Sequence, residues 1–345
     1  MLDKNAAAFG SFDPYSKHQS GFGVLQIETN PSETGNNQYY AAGFLEGYFT
    51  HQEIHNQHTN MLGIFSSLKN GPSKEFQSYI TNQTAWIKQQ LASHTSDAYW
   101  QQVGMIMRQY DGLIDGYNAA APANQQLEPF AFYALNGFGD LFDLLPKYQT
   151  KSFPDFANMT KEDFHLYRQQ NGHCSALVKL NGDFTELLMA HSSWFEYQFT
   201  NRIYKHYNLR SDVSVAKKIS FSSYAGCLES GDDFYVTDSG LVMLQTTNSV
   251  FNKDLQKYIQ PQSLLSWMRV RTALALADGG ESWFSIIRRD NSGTYNNQVC
   301  LICVCVCCAL CVWMCVSDCV HVCVCVCVCV CVCVVQPRFY PLTPS

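Results

Sequence analysis

One segment constrains this chain more than any other. Asn171–Trp194, NGHCSALVKLNGDFTELLMAHSSW, holds two strand-like runs, Cys174–Leu180 and Phe184–His191, around Asn181-Gly182. That dipeptide is the one most favoured in a two-residue type I′ hairpin. A turn there sets Leu180 opposite Asp183, Cys174 opposite Met189 and Gly172 opposite His191. Strand side chains alternate, so Cys174 and His191 then share a face as diagonal neighbours, roughly 7–8 Å apart at the backbone. A three-residue loop would reverse the parity and separate them.

The pairing permits nucleophilic chemistry. A thiol attacks as the thiolate, and a nearby base or cation lowers its pKa. His191 is one candidate base. The α-amine of Cys174 is another, if the chain is cut immediately before that residue. The alternative is a core cysteine packed beside a core histidine, since free cysteine is often simply buried.

At 345 residues the chain is long enough for one large core or two domains. Its net charge of −6 gives no basic footprint, so nucleic acid is not an expected partner. Gly21–Glu28 alternates as a strand. Tyr39–Phe49 reads as a helix continuing through His51, Ile54 and His58. His51, His55 and His58 stack on one helical face, but no carboxylate or cysteine partner accompanies them. A solvated face is the reading adopted, and neither a metal nor a cofactor is expected.

Phe76, Ile80, Ile87 and Leu91 follow a helical period after Gly71-Pro72-Ser73. Tyr99, Val103, Ile106, Tyr110, Leu113 and Tyr117 repeat it after Ser96, the expected N-cap. Phe130–Leu145 reads as one further helix ended by Pro146, and Pro146–Gln170 as an exposed polar linker. After the hairpin, Phe195, Phe199, Ile203 and Tyr207 have helical spacing. Strands are expected at Lys218–Ser223, Phe234–Thr237 and Leu241–Thr246, and a helix at Gln262–Leu276. Helices, then strands, then helices imply an α+β fold with antiparallel sheet rather than βαβ repeats.

The chain then changes character. Only Cys174 and Cys227 precede residue 300, whereas fourteen cysteines lie between Cys300 and Cys333. The Val–Cys alternation of Val299–Val335 is what a translated TGTGTG repeat encodes, and it favours β aggregation over a membrane helix. Three regions are expected: 1–173 before the candidate cleavage point, 174–298 bearing the candidate nucleophile, and 299–345 as an aberrant low-complexity tail.

Several words in the sequence are distinctive. Gly172–Leu180 (GHCSALVKL), Ala190–Trp194 (AHSSW) and Arg202–Asn208 (RIYKHYN) resemble the phospholipase B-like family of N-terminal-nucleophile hydrolases. Ala41–Thr50, Phe221–Lys253 and Asn291–Gln298 (NSGTYNNQ) extend the likeness, in order, across most of residues 10–298. The resemblance implies an αββα sandwich, incomplete here at the C-terminus. It also implies autocatalytic cleavage before Cys174, with Cys174 as the nucleophile, His191 in the active site, and two fragments that stay associated. Trp194, Asn291 and Asn297 are local candidates for lining the pocket; core packing and turn capping are their alternatives. A further asparagine and arginine are expected downstream of the YNNQ word, but no position after Gln298 matches them.

The implied function is removal of fatty acyl chains from phospholipids, with membrane contact only through the substrate. The alternatives are an amidase acting on N-acyl lipids or peptides, and a non-catalytic luminal lipid-binding protein. The N-terminus has no signal-peptide h-region. The resemblance nonetheless implies a lysosomal or secreted protein, with a leader and a first strand missing from this chain. The sequons at Asn82 and Asn158 fit that route. With the family's downstream half absent, the product as written is expected to be inactive.

Overall fold

The computed structural model describes residues 5–170, 174–183, 185–303, 311–316, 320–323 and 330–334. Asn171, Gly172, His173 and Phe184 lie outside them, and so does the carbonyl that a cleavage before Cys174 would involve. The chain opens with β1 (Ala8–Asp13), a one-turn helix α1 (Lys17–Ser20) and β2 (Gly23–Thr29). Helices α2 (Gly35–Phe49), α3 (His51–Ile64), α4 (Lys74–Ser93), α5 (Ala98–Ala120), α6 (Pro129–Asn136), α7 (Phe138–Tyr148) and α8 (Lys161–Gln170) follow. A ribbon of β3 (Ser175–Leu180) and β4 (Leu187–Ser192) leads into β5 (Arg202–Asn208), β6 (Lys218–Tyr224), β7 (Phe234–Thr237) and β8 (Leu241–Thr247). Then come α9 (Ser266–Leu276), α10 (Gly280–Ile287) and β9 (Asn297–Cys303), followed by β10 (Cys311–Val316), β11 (Val320–Cys323) and β12 (Val330–Val334).

Among the described residues, these strands form an α+β architecture around a ten-stranded sheet of order β1-β2-β5-β6-β7-β8-β9-β12-β10-β11. Pairing is antiparallel except between β2 and β5 and between β10 and β12. A parallel pair needs a long crossover, and here the helices α2–α8 and the ribbon supply the one between β2 and β5. Leu25, Ile27, Ile203, Tyr207, Ile219 and Phe221 turn one sheet face into the core. The same face carries Lys205, whose Nζ donates to Glu46 of α2 at 2.6 Å and to the Tyr224 carbonyl at 2.9 Å. Glu46 also accepts the Tyr207 hydroxyl, so helix and sheet meet through a fully buried, hydrogen-bonded ion pair.

Local signals explain most boundaries. Ser73 Oγ caps α4 by accepting the Phe76 N–H at 3.1 Å. The cap of α5 is Asp97, not Ser96: its carboxylate accepts the Tyr99 N–H at 2.9 Å and also binds Arg289 at 2.8 Å. Phe130–Leu145 is two helices broken at Gly137, and Pro146 sits inside the last turn of α7 rather than ending it. Lys161–Gln170 of the expected linker is helical.

The largest correction is Phe195–Tyr207, which is a 3-10 turn followed by β5. A spacing of four keeps residues on one face of a helix, but it also keeps them on one face of a strand. The additional inward Lys205 marks the period of two.

The helix layer depends on one close crossing. A Cβ at Gly43 would lie 1.9 Å from the Gln109 carbonyl oxygen, and one at Gly112 would lie 2.1 Å from that of Tyr40. Gly47 and Gly116 repeat the approach one turn on. Gly112→Ala should therefore destabilise the chain by about 1–3 kcal/mol, the usual cost of overpacking. Gly63→Ala, on an open face of α3, should be neutral or stabilising by up to about 1 kcal/mol. Equal thermal midpoints for the two variants would show that the crossing is not limiting.

Candidate active site

The β3–β4 ribbon pairs Ser175 with Ser192, Ala176 with His191 and Leu180 with Leu187. The connection is thus the longer loop Asn181–Glu186 instead of a two-residue turn at Asn181-Gly182. Side-chain hydrogen bonds build it. Asn181 Oδ1 accepts the N–H groups of Thr185 at 2.9 Å and Glu186 at 3.0 Å, and Asp183 accepts the Thr185 hydroxyl at 2.7 Å. Leu180 faces Leu187 rather than Asp183, so the register is displaced by four residues. Four is even, so the alternation of side chains is kept, and Cys174 and His191 still share a face.

They meet a third group there. The Cys174 thiol, a His191 ring nitrogen and an Asp233 carboxylate oxygen lie within 4.8 Å of one another. His191 Nε2 is 2.8 Å from the Gln245 carbonyl. A carbonyl only accepts, so Nε2 carries the proton and Nδ1 holds the lone pair of the neutral ring. The Gln245 side-chain amide donates to Asp233 Oδ1, and the Gln245 N–H donates to the Asp233 carbonyl at 3.0 Å. Tyr295 donates its hydroxyl to both carboxylate oxygens, at 3.1 and 3.2 Å. Cys174, Asp233 and Tyr295 all have left-handed backbones, with φ of 67°, 56° and 46°. Such strain costs on the order of 1–3 kcal/mol per residue and concentrates where function requires it.

Electrostatics hold the protons in place. Burial pushes the Cys174 thiol up to about 11, and the Asp233 carboxylate adds to the rise. The Trp194 N–H pulls the other way, and the Ser193 hydroxyl less so. Burial also raises Asp233 well above the usual carboxylate range, against the hydrogen bonds from Gln245 and Tyr295. His191 is lowered by burial, partly offset by Gln245 and Asp232. The thiol is therefore neutral at rest and needs a base to react.

Cys174 opens onto a cavity of about 140 Å³. Its walls are aromatic, with Phe138, Phe142, Phe156, Tyr167 and Phe195 prominent. Trp194 and Ser193 line it too, and Trp194 remains 59% exposed. Asp143 is the acidic group in the wall; its Oδ2 accepts the Tyr295 N–H at 2.9 Å. Asn291 and Asn297 do not line this cavity. Asn291 Oδ1 caps Gly293 at 2.9 Å, and Asn297 Nδ2 reaches the Tyr295 carbonyl at 3.0 Å. Asn82 and Asn158 are both exposed. His51, His55 and His58 lie on α3; among the described residues they do not form a metal cluster.

Sequence reasoning missed Asp233, Gln245, Asp143 and Tyr295. One signal was present: Leu241, Met243 and Gln245 alternate in β8, which puts an amide at a core position.

The chain is an α+β protein with a thiol, an imidazole and a carboxyl group gathered beside an apolar cavity. The comparisons with known proteins specify it: the Phospholipase B family model matches residues 8–304, and the chain belongs to that family. It is 40% identical to Phospholipase B-like 1 of Homo sapiens over 307 residues, covering 86% of this chain and 54% of the relative. It is 38% identical to Phospholipase B of Crotalus adamanteus over 318 residues, with 88% and 56% covered. Phospholipase B-like protein B of Dictyostelium discoideum is 39% identical over 283 residues, with 81% and 49% covered. The chain spans about half the length of these relatives. The family match runs beyond Gln298 into β9, and among the described residues no helix is long and apolar enough to cross a membrane.

Two acids of α7 give a pH prediction. Burial raises Asp140 to about 6 and Asp143 to about 7, from an ordinary 3.8. Between those limits the folded chain keeps protons that the unfolded chain has lost, so stability falls as pH rises from about 4 to 7. Thermal unfolding should come at a higher temperature at pH 5 than at pH 7.5, and Asp143→Asn should shrink the difference. An unchanged difference in the variant would exclude Asp143 as a contributor.

Proposed function

We propose that this chain carries the nucleophile of a phospholipase B-type acyl hydrolase, and that Cys174 becomes reactive once the chain is cut immediately before it. The observation that carries the reading is the cluster of Cys174, His191 and Asp233 beside the aromatic cavity. In the cut, Cys174 Sγ attacks the carbonyl of His173, the peptide C–N bond breaks to leave a thioester, and water hydrolyses that thioester. The left-handed backbone at Cys174 lies next to the bond that breaks, so cleavage relieves strain.

The freed α-amine has an ordinary pKa of roughly 7.7–8.0, far better matched to proton transfer than the resting thiol. It takes the thiol proton as Sγ attacks the ester carbonyl of a phospholipid. The alcohol leaves with a proton, and water releases the fatty acid from the acyl-thioester. His191 Nδ1 is the second proton acceptor. The cavity is smaller than the roughly 300–1,000 Å³ that encloses a whole small ligand. It therefore suits the reacting end of an acyl chain, while the head group stays outside.

The same proposal includes the αββα sandwich, association of the fragment ending at residue 173 with the one starting at Cys174, glycans on the exposed Asn82 and Asn158, and a lysosomal or secretory address. An acid compartment matches the acid-side stability argued for Asp140 and Asp143.

Extended by the family's downstream half and incubated alone at acidic pH, the chain should yield a fragment with Cys174 at its N-terminus, read by terminal sequencing. Cys174→Ala should stay uncut, and two fragments from that variant would defeat the mechanism. His191→Ala should slow fragment formation by about 10²–10⁴-fold, the usual contribution of a general acid–base group, and a change under about threefold would remove it from the reaction.

A further inference from the structure

We propose that Cys174, His191 and Asp233 form a Zn²⁺ site, in which the metal holds the thiolate and silences the nucleophile reversibly. Sulfur, nitrogen and carboxylate oxygen are the donors zinc prefers. Their atoms lie within 4.8 Å of one another. A tetrahedral zinc with ordinary bond lengths sets such donors roughly 3.3–3.6 Å apart, so side-chain rotations of about 1 Å close the site.

A second set of contacts independently fits a ligand sphere. Metal-bound histidines characteristically donate their other ring N–H to a carbonyl or carboxylate, and ligating carboxylates are themselves hydrogen-bonded. Here Nε2 donates to the Gln245 carbonyl, which leaves Nδ1 for the metal. Asp233 is held by the Gln245 amide and the Tyr295 hydroxyl. The cavity beside Cys174 provides a fourth position for water. Binding is a proton exchange without redox: the thiol proton, and that of Asp233 where it is present, leave to solvent. Thiolate and carboxylate together then neutralise the dication in a half-buried place. This inference goes beyond the hydrolase reading and requires neither cleavage nor turnover.

Thiolates are zinc ligands and fourteen further cysteines lie downstream, so bulk stoichiometry does not isolate this site. The test is residue-resolved. The full chain, under a phosphine reductant, is pulsed with iodoacetamide in chelator-buffered Zn²⁺, and each cysteine peptide is quantified by mass spectrometry. Labelling of Cys174 should slow at least about tenfold in zinc and recover with EDTA. Asp233→Asn and His191→Gln should each abolish that protection. Cys227, fully buried, reports folding by staying unlabelled; if one variant exposes it, the other decides. A Cys174 rate indifferent to zinc would overturn the proposal. Protection that survives in a folded variant would overturn it equally, because the thiols alone would then hold the metal.

Discussion

Gln245 ties the site to the fold. Its carbonyl accepts from His191, its N–H donates to the Asp233 carbonyl, and its side-chain amide donates to the Asp233 carboxylate. A buried amide left unpaired costs about 1–3 kcal/mol; this one is buried within a connected network. The β3–β4 ribbon exposes much of both strands, and a two-stranded ribbon is marginal on its own. The bond from His191 to β8 fixes where that ribbon lies, and with it the position of Cys174.

The left-handed backbones at Asp233 and Tyr295 are set in close packing, whereas Cys174 borders the cavity. The Tyr295 ring lies against Gly139, where a Cβ would come within 2.6 Å of it, and Gly231 is pressed as closely by Phe138. Phe138 in turn packs on Phe195, Phe199 and Tyr224. The helix layer behind them is drawn together by the glycine crossing of α2 and α5 and anchored to the sheet by Lys205 and Glu46. That layer lies behind the point where the three left-handed residues converge.

Much of this was legible in the sequence, for identifiable reasons. The strands β6, β7 and β8 follow from alternation, and α4 from its cap and period. Cys174 and His191 share a face because parity depends only on whether the displacement is even; the turn itself was misjudged because Asn181 and Asp183 stabilise a longer loop. β5 was misread because a spacing of four serves both periods. Asp233 was hidden for a different reason. It follows a turn that places it beside Gln245, and no local pattern reports a long-range pairing between strands. Buried Asp140 and half-buried Asp143 sit on a helix whose amphipathic pattern gives no sign that Asp143 faces a cavity.

The central claim is that Cys174 is the atom that accepts an acyl group. The most direct measurement incubates the chain, extended by the family's downstream half, with a phospholipid carrying an isotopically labelled acyl chain, quenches in acid, and maps acylated peptides by mass spectrometry. The account predicts a hydroxylamine-labile acyl-thioester on the peptide that begins at Cys174, absent from Cys174→Ala. An acyl group recovered on another residue, or hydrolysis that continues in Cys174→Ala, would contradict it.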